Sequence, residues 1–172
     1  MAKNPIPSLS GVKVEIPEER YRADLELHDR FQSFSAELLK LSFAGLAATG
    51  VSLAFLTNSH CDLISNNLVS GRLKYLAAVC LLGFGLSSIL ALVHRFFASD
   101  GMYHHIRAIK LLIIVENEPA REFAEGIKKK AGEDEIVRNK KYSISADALR
   151  WSAVALVVGA SALGGAFLSI FP

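Results

Sequence analysis

Cysteine is scarce: the 172 residues contain only Cys61 and Cys80, and no CxxC pair. Cys80 lies about 7 Å inside a long apolar stretch by helical rise, whereas Cys61 stands in a polar loop. A bond between them would require that loop to dip into the apolar layer, so Cys61 is expected as a free thiol and Cys80 as a packing residue. Proline is equally sparse inside the apolar stretches. Pro5, Pro7 and Pro17 precede them and Pro119 lies between two of them. Broken spans of the kind that build a substrate site at mid-membrane are therefore not expected. No acidic or basic side chain sits in the middle of an apolar stretch, which argues against a transporter or a proton pathway. A P-loop, a dinucleotide fingerprint, HExxH and GxSxG are all missing, and no cofactor is expected.

Long hydrophobic runs are what the chain does have. Hydrophobic residues make up 51% of it, and they are clustered. Leu38–Thr57 is interrupted only by Lys40, and Tyr75–Val93 and Trp151–Phe171 are free of charge. Each is close to the roughly 20 residues that cross a hydrocarbon core. The sequence therefore predicts an all-α integral membrane protein with three transmembrane helices, the first two continued by long cytoplasmic amphipathic helices. The expected organisation is a disordered tail over residues 1–17, then one helical membrane domain over 18–172. Its spans fall at about 38–57, 75–97 and 150–171, with cytoplasmic helices at about 18–37 and 98–131. The first 30 residues offer no apolar core for a cleaved signal, so the first span is expected to direct its own insertion.

Charge sets the expected topology. Of 19 Lys and Arg residues, six precede or border the first span and eleven lie between Arg95 and Arg150. Only Arg72 and Lys74 flank the first loop, and none follows Trp151. The positive-inside rule puts the N-terminus and the 96–149 segment in the cytoplasm and the C-terminus outside. A bacterial inner membrane is the expected location.

Along the chain, Pro17-Glu18-Glu19 suits a helix start. Leu27, Phe31, Phe34, Leu38 and Leu41 follow at steps of four and three, a seam on one helical face. The opposite face, with Arg22, Glu26, Asp29 and Arg30, calls for water. Met102, Ile106, Ile109 and Ile113 form a second seam, with Ala108, Leu111 and Val115 beside it. A helix this apolar outside the bilayer needs cover on more than one side. One cover is expected from the first seam, arriving antiparallel; the other is a later helix, a neighbouring subunit or the membrane surface. The second helix is expected to continue past Ser99-Asp100-Gly101, where a kink is allowed. A short charged helix over 119–131 and a polar connector over Gly132–Lys141 are expected next, with Ser143 or Ser145 capping the last helix. Small residues spaced four apart mark faces for close packing of spans: Ala48 on the first, Gly83 and Ser87 on the second, and Gly159, Gly164 and Gly165 on the third.

Chemistry-bearing clusters are few. His60-Cys61-Asp62 are all metal-ligand types, but adjacent residues rarely converge on one ion, and a turn is expected there. His94 and His105 share a helical face about 16 Å apart, and His104 and His105 diverge by about 100°. A shared site would need His28 with one of them. Lys128, Lys129 and Lys130 offer a weak contact to anionic lipid, diluted by nearby acids. The expected partners are the bilayer and a second copy or another membrane protein, with no nucleic acid. The expected role is helix association as a scaffold, anchor or regulatory subunit. An oligomeric pore or membrane-disrupting effector is the alternative, and an enzyme or metal protein using His28, His104 and His105 is a further one.

Overall fold

The computed structural model describes residues 19, 21–58, 67–117 and 121–170. The N-terminal tail, the loop with Cys61 and the turn at Pro119 lie outside them. Three helices account for the described chain: α1 (Arg22–Asn58), α2 (Asn67–Asn117) and α3 (Arg121–Ile170). Each contains a segment long and apolar enough to cross a membrane. At 1.5 Å per residue, the 51 residues of α2 and the 50 of α3 run about 75 Å each. That is more than twice the roughly 30 Å of a hydrocarbon core. Both helices therefore project well beyond any bilayer they span.

α2 and α3 form an antiparallel pair, and α1 lies mainly on α2. Contacts fix the register. Gly83 meets Gly159, Gly101 meets the Tyr142 ring, and Lys141 Nζ stands 2.8 Å from Asp100. The side chains that face outward at the apolar levels are large and uncharged: Val51, Leu82, Ile89, Val157 and Leu168 are all exposed. This is the inverse of a water-soluble bundle and suits contact with acyl chains. Inside, Cys80, Phe84 and Ala162 make one small core with Leu46, Leu76 and Leu156 around it. Leu111, Ile127 and Ala131 make a second one near the far ends of α2 and α3.

One serine from each helix meets at the bundle axis. Ser42, Ser87 and Ser152 are fully buried. Ser42 Oγ lies 2.8 Å from Ser87 Oγ, which in turn lies 3.2 Å from Ser152 Oγ. Ser152 Oγ also donates to the Ser87 carbonyl at 2.9 Å. In an apolar surround such groups must find partners within the protein, and here they find them across helices.

Two expectations are corrected. Residues 132–141 are not a connector, and neither Ser143 nor Ser145 starts a helix, because α3 is continuous from Arg121 to Ile170. Three polar side chains of that stretch pair with α2: Asp134 with His104, Arg138 with His105 and Lys141 with Asp100. The third span thus carries a long polar extension like the other two. Secondly, of the covers expected for the Met102–Val115 stretch, the later helix, α3, is the main one and the α1 seam is not. α1 begins opposite His105, where Asp24 reaches it, so it stops short of Ile109 and Ile113. Met102 and Ile113 are buried, and Ile106 and Ile109 are half-buried. α2 itself runs through Ser99-Asp100-Gly101 without interruption.

Candidate functional site

A cavity of about 590 Å³ lies between the three helices where the polar extensions begin. It starts next to Arg150, whose neighbour Trp151 is exposed, and reaches the level of His105. Its apolar wall includes Leu27, Phe31, Ala98 and Leu149; its polar lining includes His28, His94, Arg138, Tyr142 and Ser145.

His94 is the most confined of these groups, with only 3% of its surface exposed. Its Nδ1 lies 3.0 Å from the Ser145 carbonyl and 2.8 Å from Ser145 Oγ. Ser145 Oγ stands 3.3 Å from the His94 carbonyl as its donor. All three contacts are satisfied together when Nδ1 carries the proton and the serine hydroxyl donates to the carbonyl. Nε2 is then the free nitrogen, and among the described residues it has no hydrogen-bond partner. The Phe31 ring meets the imidazole edge-on at 6.4 Å.

His105 is fixed differently. Arg138 Nη1 lies 2.8 Å from its Nδ1. A guanidinium only donates, so Nδ1 accepts, and the Nε2 proton goes to Asp24 at 2.8 Å. The other Arg138 nitrogens donate to Glu135 and Asn139. Both His105 nitrogens are thus in use. His28 is half-buried, with one contact to Gln32 at 3.5 Å. Loss of hydration holds its pKa below the usual 6.5; Asp29 opposes this shift and His94 adds to it. Burial raises the Tyr142 hydroxyl above its ordinary value, with Arg138 opposing and Asp24 reinforcing.

His104 points away from this group, toward α3, where its Nδ1 is 3.0 Å from Asp134 Oδ1. Arg107 Nε stands 3.2 Å from the other carboxylate oxygen, at ion-pair distance but outside hydrogen-bond alignment. His28, His104 and His105 are therefore not gathered, and among the described residues no three metal-ligand side chains are placed to hold an ion.

The other sequence-derived residues fall on several surfaces. Leu38 is buried, but Leu27, Phe31 and Phe34 are about half exposed. Gly83, Ser87 and Gly159 lie at the α2–α3 contact, whereas Ala48 is exposed. A Cβ on Gly164 would meet nothing within 4 Å, and one on Gly165 would touch only Leu76. Lys128 and Lys129 are exposed and Lys130 half-buried. Sequence reasoning missed Arg138, Tyr142 and Ser145, since it treated them as connector and cap. Their spacing contained the signal: with Leu149 they follow at steps of four, three and four, which is one helical face.

Fold and surface together define a helical membrane protein with three membrane-spanning helices and a largely apolar cavity between them where the polar extensions begin. No family model matches the chain, and no curated protein and no solved structure matches it either.

Proposed function

We propose that this chain is a non-enzymatic membrane subunit that works by helix association, as an anchor, scaffold or regulatory partner. In this reading the polar extensions and the N-terminus face the cytoplasm, which the distribution of Lys and Arg supports. The observation that supports this reading is the outer seam of α1. Leu27 is 53%, Phe31 46% and Phe34 51% exposed, yet all three precede Lys40, at the start of the first apolar segment. Leu27 lies about 20 Å beyond Lys40 by helical rise, deep in the aqueous phase. α2 and α3 leave about half of this seam's surface uncovered, and apolar surface left in water is what an associating protein presents.

The test is the mass of the particle in detergent or nanodiscs, compared with a Phe34→Glu variant. Phe34 does not line the cavity and its change leaves the bundle interior alone. The expected result is an oligomer, or a co-purifying membrane protein, that is lost in the variant. A strict monomer with no companion overturns the reading.

A further inference from the structure

The cavity beside Arg150 has features that helix association does not account for. Its volume of about 590 Å³ falls in the range of about 300–1,000 Å³ typical of small-molecule sites. Its walls are mostly apolar. One polar atom at its wall has no hydrogen-bond partner among the described residues: the Nε2 of His94, which is itself closed off from solvent. The bonds to Ser145 place a proton on Nδ1, which leaves Nε2 as the nitrogen that can accept. Burying an acceptor without a donor is unfavourable, and a ligand hydroxyl or amide N–H relieves that cost.

The cavity also has a charge bias. Two guanidinium groups, Arg138 and Arg150, line it against one carboxylate, Asp24. Asp24 is already engaged by His105. Arg150 is the guanidinium free to turn inward: its side chain is 80% exposed, and its pair with Asp147 is 3.6 Å long. A solvated pair of that kind holds weakly, so exchanging it for a better acceptor is cheap.

We propose that this cavity binds a hydroxyl-bearing phosphate compound, with the hydroxyl donating to His94 Nε2 and the phosphate meeting Arg150. Arginine suits phosphate because its parallel N–H groups match two phosphate oxygens. The chemistry is shared by a polyol-phosphate lipid headgroup and by a soluble polyol phosphate. The apolar wall of Leu27, Phe31 and Leu149, and the place of the cavity at the edge of the apolar span, fit the lipid, whose first acyl carbons would lie along that wall.

The experiment uses the full chain in detergent and measures retained ligand by native mass spectrometry together with thermal stability. The probes are phosphatidylglycerol, phosphatidylcholine and free glycerol phosphate. Phosphatidylglycerol is expected to be retained about tenfold better than phosphatidylcholine, which lacks the headgroup hydroxyl and the net negative charge. Arg150→Gln and Ala146→Phe are each expected to remove about tenfold of that retention. Both sites are exposed, so both substitutions leave the bundle interior alone, and the phenylalanine occupies part of the cavity that Ala146 lines. Saturable binding of glycerol phosphate alone, lost in the same variants, assigns the same site to a soluble ligand. Equal retention of the two lipids without glycerol phosphate binding overturns the proposal. So does binding that survives both substitutions. The site stands whether or not Phe34→Glu disperses an oligomer, so the two readings fail separately.

Discussion

Gly83 and Gly159 approach each other so closely that a Cβ built on Gly83 would lie 2.8 Å from both the Cα and the backbone nitrogen of Gly159. Backbone atoms cannot swing aside as a flexible side chain can. Gly83→Ala is therefore expected to push α2 and α3 apart and to destabilise the protein by about 1–3 kcal/mol, the usual cost of overpacking. Gly164→Ala is the control, because the added Cβ meets nothing within 4 Å. It is expected to be neutral or stabilising by up to about 1 kcal/mol through reduced chain entropy. Reversible unfolding in mixed micelles measures both. Equal effects at the two sites would show that glycine loss, and not the close approach, sets the cost.

The serine cluster leads to a different contrast. Ser42 Oγ also donates to the Leu38 carbonyl at 2.7 Å, and Ser152 Oγ to the Ser87 carbonyl at 2.9 Å. Removing the Ser87 hydroxyl thus orphans neither neighbour. Ser87→Ala is expected to cost only about 0.6–1 kcal/mol, near the measured mean for interhelical hydrogen bonds in membranes. Ser87→Leu places three extra carbons at a fully buried position and is expected to cost about 1–3 kcal/mol or more by overpacking. The same unfolding measurement ranks the two, and a larger loss for alanine than for leucine would refute the account.

Acidification is expected to loosen α1. His28 sits between Asp29 on its own helix and His94 on α2, and burial holds its folded pKa below 6.5. The unfolded chain then binds the proton first. Stability from this group is intact above about pH 6.5 and falls as pH drops from there through the folded value. His28→Gln is expected to flatten that part of the profile. Hydrogen exchange of α1 amides from about pH 8 to 5 reads the effect locally, across the range in which an unperturbed histidine titrates. Unchanged slopes in the variant would assign the pH dependence elsewhere.

What could be read in one dimension was whatever depends on water avoidance along the chain. Charge-poor windows of about 20 residues marked the three spans, and Lys40, Arg150 and Trp151 marked their edges. The Leu27/Phe31/Phe34 stripe was legible because a helix repeats its face every three or four residues. Residues 132–141 misled for a physical reason: Asp134, Arg138 and Lys141 have the composition of a hydrated loop. Their partners, His104, His105 and Asp100, are about 30–40 residues away on α2. A paired charge and a solvated charge look alike until the partner is in place.

By itself, then, the sequence determined that this is a helical membrane protein, where its apolar segments lie and which face of α1 is apolar. Those properties follow from transfer free energies and helical periodicity, which are local. Only the tertiary structure decided that α3 is a single helix, that Ser42, Ser87 and Ser152 meet, and that His94 has a nitrogen with no partner among the described residues, beside a cavity. Those depend on the antiparallel register of α2 and α3 and on the seat of α1 against them. Register is set by contacts such as Gly83 with Gly159 and Gly101 with Tyr142, between residues 76 and 41 positions apart, and no local pattern encodes it.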